Sequence, residues 1–200
     1  LITGVDLVED LLFFTDNINP PRFINISINY PNPIIPSFAT TALDYGGVPL
    51  ILEEQLQVIK KPPLFSPSVS LIKTSSEENY LSDRYICFAY RYRYSDNDYS
   101  ATSPFSEPAF YPDNFKYSPD TALNEGMVNR FNTAIVTINT GGPLVKGIDL
   151  LFKDAQNSTI KIIEKLDKSN LGLADNSDYN FTFENSNIFT ILPDSEILRL

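Results

Sequence analysis

Oxygen-rich loops and one run of alternating tyrosine and arginine are where this chain could do chemistry. Asp96-Asn97-Asp98 spaces carboxylates and an amide as calcium loops do, and Asp120 or Glu107 could add to the shell of a hard cation. The EF-hand spacing and its distal glutamate are missing, however, and a hairpin tip of Ser, Asp and Asn explains the same residues. Asp175, Asn176 and Asp178 form a similar polar loop. Arg91 and Arg93, interleaved with Tyr90, Tyr92 and Tyr94, could stack on a sugar or nucleobase, but tyrosines along one strand face are more often core or subunit interface. Carboxylate neighbours such as Glu53-Glu54 and Glu77-Glu78 point in different directions and nominate no glycosidase pair. Cys87, set among apolar residues, reads as a small core residue rather than a nucleophile.

Composition narrows the classes further. The chain has no histidine, which removes the commonest catalytic base and transition-metal ligand, and one cysteine, which excludes an internal disulfide and a Cys-based zinc knuckle. A net charge of −10 argues against a phosphate-binding surface, so nucleic acid is not the expected primary partner. No apolar run approaches the ~20 residues of a membrane span, so no membrane insertion is expected. Residues Leu1 to Asp10 lack the features of a secretory signal. The first residue is Leu and the only methionine is Met127, which reads as a piece cut from a longer polypeptide. No cofactor, metal or catalytic residue is nominated, and the chain reads as non-enzymatic.

Most of these groups lie on or beside one element. From Tyr85 to Tyr94 the chain alternates with period two, placing Ile86, Phe88, Tyr90, Tyr92 and Tyr94 on one face and Tyr85, Cys87, Ala89, Arg91 and Arg93 on the other. This predicts a half-buried strand in the middle of a sheet, its second face grading from small residues to arginines that emerge into solvent or a neighbouring surface. Ahead of it, Leu11 to Phe14 and Phe23 to Ile28 predict a hairpin with a long tip, Tyr30 to Pro36 a proline-rich surface crossing, and Glu53 to Val58 a short helix ended by Pro62-Pro63. Val69 to Lys73, Ala134 to Asn139, Lys146 to Lys153 and Thr159 to Leu166 read as further strands, followed by Tyr179 to Phe183 and Ile188 to Leu192.

Short strands at regular spacing, with no helical period between them, predict an all-β sandwich. Its core is expected to gather Ile86, Phe88, Tyr90, Ile135, Ile148, Leu150, Phe152, Ile160 and Ile162. The connection from Ser100 to Arg130 carries four prolines and is too long for a hairpin loop, so it is the expected place for outside contacts. Phe105, Phe110, Tyr111, Phe115 and Tyr117 are many aromatics for a connection and are the candidate interface residues; the alternative is that they fold back over the sandwich.

Three stretches carry a family resemblance. Leu12-Phe13-Phe14-Thr15-Asp16-Asn17-Ile18-Asn19-Pro20-Pro21-Arg22-Phe23-Ile24-Asn25-Ile26 resembles the LFWTDGxNxPRxINI segment of tail stabilisation or muzzle proteins of crAss-like bacteriophages and related phages of Bacteroidetes. Val58 to Leu64, the Tyr85 to Tyr94 strand and Tyr99 to Ser106 are similar to the same proteins, as are Asn124 to Asn129, Asn139-Thr140-Gly141, Val145 to Lys153 and Ile160 to Lys168. Asp96-Asn97-Asp98 departs from the glycine-containing turn usual there. The resemblance implies a fibronectin type III-like β-sandwich over 62–168. Because the strand-like hairpin region 1–61 and return strands in 169–200 are too short to make a stable sheet alone, the module is expected to be inserted in, or flanked by, a second β-rich region made from them. The resemblance also implies a virion structural protein, made in the bacterial host cytoplasm, acting beside other copies in a symmetric ring and beside other tail or portal-associated proteins. A glycan- or cell-surface-binding adhesin module is the alternative.

Overall fold

Residues 1–27, 44–45, 48–49, 53–75, 78–154 and 157–197 are described by the computed structural model, and they fall into two compact units, Leu1–Lys61 and Pro62–Leu200. Among the described residues the chain is built from strands in antiparallel sheets with a few one-turn helices, an all-β fold. The predicted crossing at Tyr30 to Pro36, like Glu77, lies outside the described residues.

In the first unit, β1 (Gly4–Val8), β2 (Leu11–Thr15) and β3 (Arg22–Asn25) form a meander in that order. The β2–β3 connection is fixed by Asp16, whose Oδ1 accepts from the amides of Ile18 and Asn19 at 3.0 and 2.7 Å. β4 (Asp44–Tyr45) and β5 (Val48–Pro49) pair as a short ladder. α1 (Glu53–Leu56) is the predicted helix, one turn long; Leu56 packs on Phe14 and Ile24, and Arg22 pairs with Glu53. The strand β1 was not legible in the sequence, because all five of its residues are exposed and none signals a buried face.

The second unit holds two sheets. One orders β13 (Asp178–Phe183), β10 (Thr133–Asn139) and β6 (Ser68–Ile72); the other orders β14 (Thr190–Ile191), β12 (Asn157–Asp167), β11 (Val145–Asp154) and β7 (Ile86–Tyr94). Small ladders and turns complete it: β8 (Tyr117–Ser118) with β9 (Leu123–Asn124), α2 (Lys168–Leu171) and α3 (Asp194–Ile197). The sheets meet through aromatic side chains: Phe183 lies edge-on to Phe88, with centroids 5.2 Å apart, and packs on Phe152 at 5.4 Å. Ile86, Phe88, Tyr90, Tyr92 and Tyr94 are all buried, as the period-two reading requires, and the Tyr92 hydroxyl donates to the Asn139 carbonyl of the facing sheet at 3.2 Å. Burial pushes the Tyr90 and Tyr92 phenols above their ordinary range, so both stay neutral.

Five expectations are corrected. β7 ends its sheet instead of lying in the middle of it. Its second face is also covered: Ala89 sits in a separate cluster with Leu151, Ile160 and Leu192, and Arg91 is 1% exposed. Ile160 and Ile162 therefore pack on the opposite side of the sheet from Phe88, because a register shift between Leu150 and Leu151 re-aims β12. In β10 the inward residues are Ala134, Val136 and Ile138, while Ile135 is only half-buried. Lastly, β13 pairs with β10 from Ala134↔Phe183 to Asn139↔Asp178, so 169–200 completes the second unit rather than returning to the hairpin region.

Candidate functional site: a sealed strand edge and an exposed aromatic arm

The chain leaves β7 through Ser95-Asp96-Asn97-Asp98 and turns back along the strand it has just built. Asn97 takes φ of 66°, its amide donates to the Tyr94 carbonyl, and Asp96 Oδ1 accepts from the Asp98 amide, so this loop is a hairpin tip. Among the described residues no group of three or more Asp, Glu or Cys converges as a metal cage.

The return segment pairs with β7 by a three-to-two rule. The amides of Ser100, Ser103 and Ser106 donate to the carbonyls of Tyr92, Tyr90 and Phe88 at 2.9, 2.8 and 2.8 Å. In the reverse direction, the amides of Tyr92, Tyr90 and Phe88 donate to the Oγ atoms of the same three serines at 3.0, 3.1 and 3.0 Å. Two strand residues advance about 6.8 Å, so three residues of the segment cover that length and the segment is puckered. A puckered chain cannot aim its carbonyls regularly at the strand, and each serine hydroxyl takes the place of the absent carbonyl. Every hydroxyl then donates onward to the next residue's carbonyl, at Ala101, Pro104 and Glu107. Pro104 and Pro108 have no amide to offer a further strand, so the edge is closed. The sequence carried this signal as Ser100-x-x-Ser103-x-x-Ser106, a three-residue period that two- and 3.6-residue templates do not detect.

Past Ala109 the chain forms an arm. Pro112 bridges to Asn129, the Glu125 amide donates to Lys116, and Tyr117 and Ser118 pair with Asn124 and Leu123. Gly126 lets the two sides approach, since a Cβ there would stand 2.0 Å from the Asn114 carbonyl oxygen. Buried Asn129 roots the arm: its Nδ2 donates to Ala109, its Oδ1 accepts from Tyr111 and Phe131, and its amide reaches Ser82.

The five candidate interface residues separate along this path. Phe105 packs on the Ala89 cluster beneath the Lys153 ammonium, 4.1 Å from its ring centre, and Phe110 stacks on Tyr85 at 4.4 Å; both fold back on the unit. Tyr111 lies against Phe131 but stays exposed, and Phe115 and Tyr117 on the arm are 76% and 58% exposed. Leu123 and Met127, which sequence reasoning passed over, are also exposed there.

A buried charge cluster lies on the outer face of β7. Arg91 faces Asp149 in the β7–β11 register and donates to its Oδ2 through Nε and Nη2 at 3.1 and 2.9 Å. Nη2 also reaches Glu196 of α3 at 2.8 Å, and the guanidinium lies 4.1 Å from the Tyr99 ring centre. Its Nη1 is buried without a hydrogen-bond partner among the described residues. With both arginine partners contributed by the unit itself, this cluster pins α3 to the sheet. Cys87 is buried, and burial raises its thiol pKa, which favours the neutral thiol over the thiolate. Among the described residues, no helix is long and apolar enough to cross a membrane. No protein-family model matches the chain, and no curated protein matches it.

Proposed function

We propose that this chain is a structural piece of a bacteriophage tail assembly, of the tail-stabilisation or muzzle type found in crAss-like phages. It works through contacts with other copies of itself in a symmetric, portal-proximal ring and with neighbouring tail proteins, and it has no catalytic role. The observation that carries this reading is the arm, where Phe115, Tyr117, Leu123 and Met127 face solvent on a narrow hairpin. Exposed apolar side chains gathered on one projection mark an interaction site, and aromatic residues serve as anchors at interface centres. The ordered motifs from Leu12 to Lys168 supply the class of assembly. A three-stranded sheet facing a four-stranded one supports reading the second unit as a fibronectin type III-like sandwich, with 169–200 included in it.

The test is a triple variant, Phe115→Ala, Tyr117→Ala and Leu123→Ala, made in the full-length protein. Thermal unfolding is expected to be unchanged while ring or particle formation, read by electron microscopy and sedimentation, is lost. Normal assembly of that variant would overturn the interface, and a hydrolase activity in the parent protein would overturn the non-catalytic reading.

A further inference from the structure

The two sheets of the second unit close differently on the side where β6 and the serine segment lie. β6 ends its sheet, and among the described residues no backbone hydrogen bond reaches its outer edge. Between it and the segment from Ser106 to Tyr111 runs a cleft of about 540 Å³, walled by Val69 and Leu71 on one side, Pro108 and Phe110 on the other, and Phe131. Val69 and Leu71 are opposite Val136 and Ala134 in the β6–β10 register and face the same interior. Yet Ala134 and Val136 are 0% and 1% exposed, whereas Val69 and Leu71 are only half-buried. The interior is thus unfinished along one strand.

An open edge is ordinarily blunted by charge, proline or a bulge. Ser68-Val69-Ser70-Leu71-Ile72 contains no charge and no proline, and its ladder to β10 runs without a register shift. A row of unpaired amides and carbonyls beside an apolar cleft fits one kind of occupant, an extended main chain with alternate apolar side chains pointing inward. Charge selects among such chains. Among the described residues Glu107 is the only charged one lining the cleft, and the whole chain carries −10, so a second acidic copy is repelled and a strand bearing lysine or arginine on its outward positions is favoured.

We propose that β6 and its cleft accept a basic, alternately apolar strand from a different protein, which extends the β13-β10-β6 sheet and completes the core over Val69 and Leu71. The inference goes beyond the assembly reading and does not depend on the arm.

The probe is a peptide of alternating lysine and valine, compared with a glutamate–valine peptide and with a lysine–valine peptide interrupted by a central proline. Fluorescence anisotropy reads affinity, and hydrogen exchange reads the amides of Ser68 to Ile72. The lysine–valine peptide is expected to bind and to slow exchange in β6, while the other two bind at least tenfold more weakly. Glu107→Lys, on an exposed side chain, should leave unfolding unchanged and weaken the peptide by about fivefold, the value of one favourable surface pair. Absence of binding at about millimolar peptide, or binding that leaves β6 exchange untouched, overturns the proposal. Equal binding of the glutamate–valine peptide overturns the basic partner. Concentration-dependent self-association that protects β6 without peptide assigns the edge to a second copy instead.

Discussion

The edges of β7 and β6 lie at the ends of two sheets of the same unit, and they solve the same problem in opposite ways. Along β7, three serines return the outward amides of Phe88, Tyr90 and Tyr92 to hydroxyls and the carbonyls of the same three residues to amides, and two prolines prevent the next strand from adding. Along β6 nothing returns these bonds among the described residues, and the residues beneath it are left half-covered. The difference teaches that exposure of an edge in this unit follows local sequence. The means of sealing was available one sheet away and is absent here, which marks β6 as an edge kept open for pairing.

The largest effect that would break the contrast comes from removing the seal. Ser100→Ala, Ser103→Ala and Ser106→Ala together strand the amides of Tyr92, Tyr90 and Phe88 in a buried position. Each unsatisfied group costs about 1 to 3 kcal/mol, so the triple variant should lose several kcal/mol in denaturant unfolding, and those three amides should exchange faster. A loss no greater than that of a control serine change on β6 would show that the seal is decorative.

Next in size is the charge cluster behind β7. Asp149→Ala removes the partner that holds two nitrogens of a fully buried guanidinium and should cost about 3 to 5 kcal/mol. Replacing Arg91 and Asp149 together by leucine should recover most of that loss, since an apolar pair of similar volume is often neutral. Equilibrium unfolding of the single and double variants distinguishes the cases. If the double variant is as unstable as the single one, the cluster is needed for something other than pairing.

A smaller and sharper comparison sets Ser103→Ala against Ser70→Ala. The first should cost about 1 to 3 kcal/mol because its hydroxyl accepts from a buried amide, and the second should stay within about 0.5 kcal/mol because its side chain is exposed. Similar values in thermal unfolding would mean that the two edges are energetically alike.

How much of this was legible in the sequence follows from which interactions are periodic. The alternation from Ile86 to Tyr94, the apolar runs of β10, β11 and β12, and the one-turn helix at Glu53 were readable because their burial repeats with the local geometry. Faces were harder. Ile135 was read as inward and Ile160 as sharing the Phe88 core. The first failed because β10 carries apolar residues in both phases, with Ala134, Val136 and Ile138 inward and Ile135 on the half-buried face, and the second because the shift at Leu150/Leu151 reverses the phase of β12. Arg91 looked like a residue leaving the core, since nothing local announces Asp149 and Glu196 at separations of 58 and 105 residues. The arm's aromatics were visible as composition, but which of them fold back depends on tertiary neighbours, Lys153 for Phe105 and Tyr85 for Phe110.

The last comparison places the serine seal beside the turn at Asp16, since both use side-chain oxygens to hold backbone amides, one set neutral and the other charged. Asp16 accepts from the amide of Asn19, from its side-chain Nδ2 at 2.6 Å and from the amide of Ile18, and these bonds hold its carboxyl at about 2 against an ordinary 3.8. A depressed folded-state value means that the stabilisation is complete above the unfolded pKa near 3.8 and drains away as pH falls from about 4 to about 2. The serine hydroxyls do not titrate in that window, so acid should loosen the β2–β3 connection while leaving the β7 edge intact. Site-resolved hydrogen exchange between pH 4 and pH 2, corrected for intrinsic rates, should show protection falling at Ile18 and Asn19 but not at Phe88, Tyr90 and Tyr92. In Asp16→Ala the first pair should be weakly protected at every pH, with the acid-dependent step gone. If that step survives in the variant, a carboxylate other than Asp16 holds the turn.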